Sequence, residues 1–339
     1  MSDQHSPGPT RWALIGASDI ASTRIIPAIR AHGGHIQVVQ SGDESWATEY
    51  AERHEVDAWT TSVDDAVGRD DVDAVYVSSH NAKHRDQVIT AAEAGKHVLA
   101  EKPLALSLDD ALAMVEVCEN AGIVMATNHH LPASPTHMVM KEIVASGEIG
   151  SVRAVHVNHA VGIPDRLRGW RVDDPVAGGV ILDVFIHDMA AVRAIVGGQA
   201  RSVMAAARRG PDVPAAPNSV MTVVEWTDDI IVQTHDAYDN YHLPSGLEIL
   251  GDGGAIGSSE SMTGDPVGDV TVYHDGVGTP AVISVRDDLY LTTVRSFDAA
   301  IHTGVDPLVT GLDGVRSLAA ALAAQQSLDT GCIQSVPSI

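Results

Sequence analysis

The chain is short of cysteine, lysine and long apolar runs, and each shortage excludes a class of protein. Its 339 residues contain only two cysteines, Cys118 and Cys332, far apart in the sequence. This spacing argues against a disulfide framework and a cysteine metal site. No stretch approaches the roughly 20 apolar residues that a membrane helix needs, so we expect no membrane partner. The start lacks the basic and apolar parts of a signal peptide, which predicts a disordered tail over residues 1–10 and a cytoplasmic protein.

The charge balance disfavours polyanionic partners. The formal net charge is −24, and the only lysines are Lys83, Lys96, Lys102 and Lys141. An acidic surface repels nucleic acid and anionic membranes, so we expect no nucleic-acid partner. Ordinary solubility and adaptation to high salt would both account for this composition. The composition alone does not distinguish between these two explanations.

The length favours two domains, and the strand pattern changes near residue 128. Strands are predicted at 11–15, 36–40, 73–78, 97–100 and 123–126, with helices between them. This alternation predicts a Rossmann domain with a parallel sheet over residues 1–128. From residue 129 the predicted strands follow one another with short turns, the last at 281–285. We therefore expect an α/β chain whose residues 129–339 form an α+β domain with a large, mostly antiparallel open sheet.

A glycine turn follows the first predicted strand. Gly16-x-Ser18-x-x-Ala21 is a degenerate form of G-x-G-x-x-G, in which backbone amides at a helix N-terminus bind a pyrophosphate. An ordinary strand–helix turn is the alternative. Its position at the start of a series of βαβ units favours NAD(P)(H), with the pyrophosphate at Ser18, Asp19 and Ile20.

The end of the second strand bears on the choice of cofactor. Ser41 and Gly42 are compatible with NAD or NADP, whereas Asp43 and Glu44 would repel a 2′-phosphate and no arginine stands in this loop. NAD(H) is therefore slightly favoured. Trp46 would stack on the adenine or pack within its own helix.

Glu101-Lys102-Pro103 follows the fourth predicted strand. Parallel strands present their carboxyl ends to the ligand, which favours a functional Lys102. The alternative is a surface lysine that pairs with Glu101. Pro103 restricts the backbone and would aim the lysine at the nicotinamide.

Asp183 and His187 are four residues apart, and on an α-helix they would share one face. A carboxylate beside an imidazole suits proton transfer with a carbonyl or hydroxyl oxygen. A buried structural pair and two metal ligands are the alternatives. Further ligands are available in His129, His130, His156 and His159. None has a zinc-type spacing, so we expect no metal.

With these motifs the chain resembles the glucose-fructose oxidoreductase/inositol dehydrogenase/MocA family over nearly its whole length. Further shared stretches are GKHVLAEKPLA (95–105), TNHHL (127–131) and GGVILDVFIHD (178–188). The resemblance implies hydride transfer between NAD(P)(H) and a sugar-like carbonyl or alcohol, with Lys102, Asp183 and His187 catalytic. It implies further substrate contacts at His130, His159, Trp170 and Arg171. It implies a nicotinamide side lined by Ser78, Ser79, His80, Asn81 and His84, with Glu101 and Lys102 beside them.

The direction of the reaction is left open by one departure from the family. NADP-using relatives place arginines where Gly42 and Trp46 stand here. The alternatives are therefore a reductase, an NAD-dependent sugar or polyol dehydrogenase working oxidatively, and a non-catalytic cofactor or sugar sensor. Lys102, Asp183 and His187 together argue against the sensor, which needs no proton transfer. The open sheet could pair face to face, so a homo-oligomer is also left open.

Overall fold

The computed structural model describes residues 9–208, 216–239 and 242–339, which form two compact units. The first unit runs to Asn128 and also includes Tyr290–Gly311, whereas the second comprises His129–Leu289 and Leu312–Ile339. The sequence predicted one domain boundary after residue 128 and did not predict that Tyr290–Gly311 belongs to the first unit. Residues 1–8 of the predicted tail lie outside the described residues. Thr10, also predicted there, is buried and donates a hydrogen bond from its hydroxyl to Asp298.

The first unit contains a six-stranded parallel sheet, which confirms the predicted Rossmann fold. The strands are β1 (Arg11–Ile15), β2 (His35–Gln40), β3 (Trp59–Thr60), β4 (Ala74–Val77), β5 (His97–Ala100) and β6 (Met125–Thr127). They are arranged in the order β3-β2-β1-β4-β5-β6. The helices are a π-helical turn (Ala21–Ile25), α1 (Ile26–Ala31), α2 (Glu44–Arg53), α3 (Val63–Val67), a 3-10 turn (Asn81–Lys83), α4 (His84–Glu93) and α5 (Leu108–Asn120).

The central strands of this sheet are apolar because helices cover both faces. All four residues of β4 are buried, as are Trp12 to Ile15 of β1. The returning helix α9 (Leu289–Thr303) contributes Phe297, whose ring centroid lies 5.4 Å from that of Trp12. This packing accounts for the return of Tyr290–Gly311 to the first unit.

The second unit contains a nine-stranded sheet that is antiparallel except for one pair. Its strands are β7 (Val152–Ala160), β8 (Ala200–Ala207), β9 (Ser219–Trp226), β10 (Ile231–Ala237), β11 (Gly246–Gly251), β12 (Ala255–Ser259), β13 (Asp269–His274), β14 (Val277–Pro280) and β15 (Gln334–Ser335). They are arranged in the order β14-β13-β12-β11-β7-β10-β9-β8-β15, and only β7 and β10 pair in parallel. The helical segments are a 3-10 turn (Leu131–Ala133), α6 (Pro135–Ser146), α7 (Asp165–Asp173), a π-helical turn (Ile181–Phe185), α8 (Ile186–Val196), a 3-10 turn (Thr227–Asp229) and α10 (Gly311–Thr330).

The predicted strand at 281–285 is wrong. Residues 277–280 form β14 instead and pair with β13, whereas 281–285 have no strand structure and are largely exposed. The apolar and β-branched residues of 281–285 are typical of a strand, but β14 already pairs with β13 at this edge of the sheet, so the segment forms no strand of its own.

One face of the sheet leaves apolar side chains exposed. Met204 of β8 and Val223 of β9 are directly opposite each other, and both are exposed, as are Met221 and Ile231. The predicted open sheet is thus present, while self-association through it stays a prediction. Within the described ranges, no helix combines the length and apolar character needed to cross a membrane.

Candidate active site

The glycine turn lies at the carboxyl end of β1, next to the end of β4. Gly16 has a φ of +107°, and a Cβ atom there would lie 2.7 Å from the backbone nitrogen of Ser79. Ser18 Oγ lies 2.8 Å from Ser78 Oγ and accepts a hydrogen bond from the backbone N–H of Ala21. Only glycine fits at position 16, because of its positive φ and the close approach of the Ser79 backbone. Asp19 is exposed and Ile20 half-buried directly before the π-helical turn, where a pyrophosphate would bind.

Helix α2 is tied to this turn by two aromatic side chains. The indole Nε1 of Trp46 donates to Ala17 O (3.0 Å), and the hydroxyl of Tyr50 donates to Ser18 O (2.9 Å). Trp46 packs edge-on against Tyr50 of its own helix and is 36% exposed, while stacking of its ring on an adenine stays a prediction. The guanidinium of Arg53 lies 5.3 Å from the centroid of the Trp46 ring and pairs with Glu49 of the same helix, so α2 places an arginine beside Trp46.

The loop after β2 provides open space and one fixed negative charge. Nothing lies within 4 Å of the position that a Cβ atom would take on Gly42. Asp43 caps α2 by accepting from the backbone N–H of Trp46 and from Ser45 Oγ. The Ser45 hydroxyl, followed by the Trp46 amide, lowers the pKa of Asp43, which therefore stays ionised. Ser41 lies beside it, and its Oγ accepts weakly from the Asp43 N–H at 3.4 Å.

The segment after β4 is anchored by a buried histidine. One ring nitrogen of His84 lies 3.0 Å from Ser79 O and the other lies 3.0 Å from Pro103 O. This side chain therefore connects the carboxyl ends of β4 and β5. Burial lowers the pKa of His84, which favours its neutral form. Ser79 also donates from Oγ to Gln87 Oε1 across 2.6 Å.

His80 and Asn81 begin the short 3-10 turn between β4 and α4. His80 is exposed, and its Nδ1 accepts from the backbone N–H of Ala82. Asn81 is 6% exposed, and its Nδ2 is a buried donor for which the described residues provide no acceptor. An amide donor of this kind suits a ligand with hydroxyl or carbonyl oxygens.

Glu101 and Lys102 stand at the carboxyl end of β5. Glu101 Oε1 accepts from the Tyr76 hydroxyl and from Asn128 Nδ2, each at 2.5 Å, and Oε2 accepts from the backbone N–H of Lys102. Burial raises the pKa of Glu101 despite these donors. The Lys102–Pro103 peptide bond is cis. Glu101 is thus a structural anchor that positions the backbone of Lys102.

In the second unit, three imidazoles meet at the start of α8. Nδ1 of His187 lies 3.1 Å from Nδ1 of His129, and both rings are buried. The ring of His130 packs edge-on against His187, with the centroids 4.6 Å apart. Two of the sequence-predicted site residues, His130 and His187, are therefore in contact.

Asp183 is held by a different pair of side chains. Its Oδ2 accepts from the Tyr238 hydroxyl at 2.8 Å and lies 3.3 Å from Arg171 Nε. Burial, and then the negative charge of Asp183, raises the pKa of Tyr238, so the phenol keeps its proton. The guanidinium of Arg171 also lies 4.8 Å from the ring of Trp170, which is 36% exposed. The structure thus brings together three predicted residues, Trp170, Arg171 and Asp183.

The helix that carries Asp183 and His187 is not a regular α-helix. Asp183 belongs to the π-helical turn Ile181–Phe185, in which the N–H of Ile186 bonds to Ile181 O. The prediction from the sequence assumed the regular α-helical spacing between Asp183 and His187, and this spacing does not hold here. Such π turns are frequent at functional sites.

His159 belongs to a buried acidic cluster with Asp188 and Asp236. Its Nδ1 lies 2.6 Å from Asp188 Oδ1, and potential ligand atoms of all three residues lie within 4.8 Å of one another. Burial raises the pKa of Asp188 to about 8 and that of Asp236 well above its ordinary value. The donor set would suit a small divalent ion, but 2.6 Å is a hydrogen-bond distance. The expectation that no metal binds stays a prediction.

Sequence reasoning missed several residues that organise these sites. Tyr238, Asp188 and Asp236 were not singled out, and His129 was considered only as a metal ligand. Tyr238 contacts a residue 55 positions earlier in the chain. No local sequence pattern indicates such a contact. The adjacent histidines His129 and His130 were a visible signal in the sequence, and both contact His187.

Chemically, the first unit offers a glycine cradle, a helix N-terminus and a lysine at the carboxyl ends of parallel strands. This is the arrangement that binds a dinucleotide in Rossmann domains. The second unit offers a buried imidazole and a separately anchored carboxylate. These groups suit proton transfer and hydroxyl recognition.

Two family models match the chain. "Oxidoreductase family, NAD-binding Rossmann fold" matches residues 10–129, and "GFO/IDH/MocA C-terminal domain" matches residues 137–257. The chain is 40% identical over 323 residues to the 1,5-anhydro-D-fructose reductase of Ensifer adhaerens, covering 95% of this chain and 97% of the reductase. It is 27% identical over 322 residues to D-xylose 1-dehydrogenase (NADP(+)) 2 of Haloferax volcanii, covering 94% and 98% respectively.

Solved structures share the fold over nearly the whole chain. An aldose-aldose oxidoreductase from Caulobacter crescentus complexed with glycerol aligns with a TM-score of 0.87 and 22% identity, covering 96% of this chain and 99% of that protein. A levoglucosan dehydrogenase in complex with NADH and levoglucosan aligns with a TM-score of 0.86 and 18% identity, covering 97% and 100%. As its motifs predicted, the chain belongs to the GFO/IDH/MocA family of NAD(P)-dependent oxidoreductases.

Proposed function

We propose that the chain reduces the ketone of a neutral, sugar-derived substrate similar to 1,5-anhydro-D-fructose, with His187 as the proton donor. The observation that carries this proposal is the buried His187 imidazole, held by His129 and His130 beside a π-helical turn. Asp183, which lies in that π-helical turn, is fixed separately by Tyr238 and Arg171, so the second unit provides both a proton donor and a hydroxyl-binding carboxylate. The 40% identity to a 1,5-anhydro-D-fructose reductase supports the substrate class.

The residues of the first unit fit a dinucleotide. Gly16 and Ser18 to Ile20 would hold the pyrophosphate, and Ser41, Gly42 and Trp46 would hold the adenosine end. Ser78, Ser79, His80, Asn81 and His84 would line the nicotinamide end. When bound, the nicotinamide supplies the hydride chemistry of the reaction. We slightly favour NAD(H), because Asp43 remains ionised at the end of β2, although Arg53 offers one cation on the same helix.

Each catalytic side chain has a distinct task in this proposal. His187 gives a proton to the substrate oxygen during reduction and takes it back during oxidation. Lys102 stabilises negative charge on that oxygen as it develops. Asp183 binds a substrate hydroxyl, because Tyr238 and Arg171 hold its carboxylate in one orientation. The remaining substrate contacts are assigned to His130, His159, Trp170 and Arg171.

The same residues would serve an NAD-dependent sugar or polyol dehydrogenase. The open loop at Gly42 favours this alternative, since no arginine stands in the loop itself to hold a 2′-phosphate. The non-catalytic sensor is disfavoured because it would have no use for the proton-transfer residues.

A titration followed by a turnover panel tests the proposal. NADH and NADPH are titrated first, and the tighter cofactor is then assayed with 1,5-anhydro-D-fructose, D-xylose, myo-inositol and their oxidation or reduction partners. We expect turnover of the anhydro ketone with the highest kcat/KM in the reducing direction. Higher kcat/KM for oxidation of a polyol would favour the dehydrogenase, and cofactor binding without any turnover would favour the sensor.

A further inference from the structure

We propose that His129 sets the tautomer of His187 and thereby keeps Nε2 of His187 as the atom that exchanges the proton. This inference rests on the proposed function of His187. His129 is treated as a positioning residue, since it acts through another imidazole and not on the substrate.

The geometry leaves room for only one hydrogen between the two rings. The two Nδ1 atoms are 3.1 Å apart, so one nitrogen donates and the other accepts. A neutral imidazole carries a hydrogen on only one of its nitrogens. The direction of this single bond therefore decides which nitrogen of His187 bears the hydrogen.

Only one direction of the bond is compatible with proton exchange at Nε2. If His187 donates from Nδ1, its neutral ring has a bare Nε2, which can accept the proton of a substrate hydroxyl. The resulting imidazolium bears hydrogens on both nitrogens and can return the Nε2 proton to a substrate oxygen. The Nδ1 hydrogen stays between the two histidines throughout, so the same bond serves oxidation and reduction.

The opposite direction would disable the base. If His129 donates from its Nδ1, the neutral His187 must carry its hydrogen on Nε2 and cannot accept another there. The burial of both rings disfavours a second positive charge beside His187, and a neutral His129 with its hydrogen on Nε2 can accept at Nδ1. In a catalytic triad a carboxylate accepts from Nδ1 of the histidine and orients its ring. His129 has the same task toward His187, but its accepting group is a neutral ring nitrogen.

Two substitutions of His129 separate the acceptor from the bulk of the ring. In His129→Asn the amide oxygen falls near the original Nδ1 and retains an acceptor. In His129→Gln the longer side chain places its amide near the original Nε2 instead. Both variants are polar and uncharged, so they form a matched pair.

The tautomer is read directly by NMR of protein labelled with ¹⁵N-histidine. The ring signals of His187 are assigned by their loss in His187→Ala. In neutral His187 we expect a protonated Nδ1 and a bare Nε2 in the wild type and in His129→Asn, and a shift toward a protonated Nε2 in His129→Gln. A bare Nδ1 in the wild type would overturn the inference, even if His129→Gln did not fold.

Kinetics provide the second measurement. We expect kcat of His129→Gln to be about tenfold below that of His129→Asn, with KM of the two variants within about twofold. Equal kcat values would contradict the role of His129. An active His187→Ala would instead refute the proposed function, whichever tautomer the NMR measurement found.

Discussion

The hydroxyl of Tyr238 donates a 2.8 Å hydrogen bond to Asp183 Oδ2, the same oxygen that lies 3.3 Å from Arg171 Nε. Tyr238 follows β10 directly, whereas Asp183 lies in the π-helical turn. A strand and a helix of the second unit therefore meet at one carboxylate. This convergence gives Asp183 a defined orientation before any substrate binds, which is a requirement for efficient recognition of a hydroxyl group.

Removing the Tyr238 hydroxyl should weaken substrate binding. A hydrogen bond to a charged group contributes about 1.5–3 kcal/mol, so Tyr238→Phe is expected to raise KM by about tenfold or more. The Kd of the cofactor should change little. Steady-state kinetics and fluorescence titration measure the two quantities. Tyr273→Phe is the control, because Tyr273 is exposed on β13, and an unchanged KM in Tyr238→Phe would contradict the role of Asp183.

The fold was largely predictable because its signals are local. The buried strands β1, β4 and β5 have apolar runs, and positive-φ glycines such as Gly95 and Gly122 follow helices α4 and α5. Strand β12 was missed because its sequence, AIGSS, has little apolar character, and the two-residue β3 is too short for a periodic pattern. The return of Phe297 to Trp12 could not be predicted, since nothing near either residue reports a contact over such a separation.

The candidate site was predictable where a motif carries it and not where distant residues complete it. Gly16, Glu101 and Lys102 stand out by their position after predicted strands, and the structure places them at the carboxyl ends of β1 and β5. The α-helical spacing of Asp183 and His187 failed as a guide to geometry. The π-helical turn depends on how Ile181 to Ile186 bond, and 3.6-residue periodicity does not describe it.

The charge of Asp43 should set the cofactor preference. We expect the wild type to bind NADH somewhat more tightly than NADPH, because the ionised Asp43 repels a 2′-phosphate. Asp43→Asn keeps an acceptor for the helix cap and removes the charge. It should therefore improve the Kd of NADPH by about fivefold and leave that of NADH nearly constant, since a screened surface charge contributes about 1 kcal/mol.

The control for this experiment is Asp64→Asn, which removes an exposed charge on α3. It should leave the ratio of the two Kd values unchanged. Much tighter binding of NADPH than of NADH by the wild type would overturn the preference. A loss of NADPH affinity in Arg53→Gln would then identify Arg53 as the residue that holds the 2′-phosphate.

The buried pair Asp188 and Asp236 should make stability fall as the pH rises. The pKa of Asp188 is raised to about 8 and that of Asp236 is raised well above its usual value, so the folded protein retains protons that the unfolded chain has lost above about pH 4. Stability therefore decreases between about pH 4 and pH 8, and the loss is complete above the folded pKa values. Asp236→Asn replaces one protonated carboxyl by a neutral amide.

Thermal unfolding at a series of pH values tests this expectation. The Tm of Asp236→Asn should fall less steeply than that of the wild type between pH 5 and pH 9 (both are experimental settings, roughly spanning the interval in which the carboxyls titrate). Asp275→Asn is the control, because Asp275 is exposed in the same unit and should not alter the slope. Parallel curves for Asp236→Asn and the wild type would show that the pair stays ionised in the folded protein.

The roles of His187 and Lys102 yield the most direct prediction about catalysis. A positioned acid–base group contributes about 10²–10⁴-fold to the rate, so His187→Ala should lower kcat by about that factor. Lys102→Ala should have an effect of similar size, because it removes the positive charge that stabilises the developing oxyanion. Neither side chain belongs to the residues assigned to the adenosine end, so the Kd of the cofactor should stay nearly constant in both variants. Single-turnover kinetics separate chemistry from binding. If His187→Ala retained near-normal kcat across the pH range, proton donation would have to come from another group, and His130, whose ring packs against His187, would be the first to test.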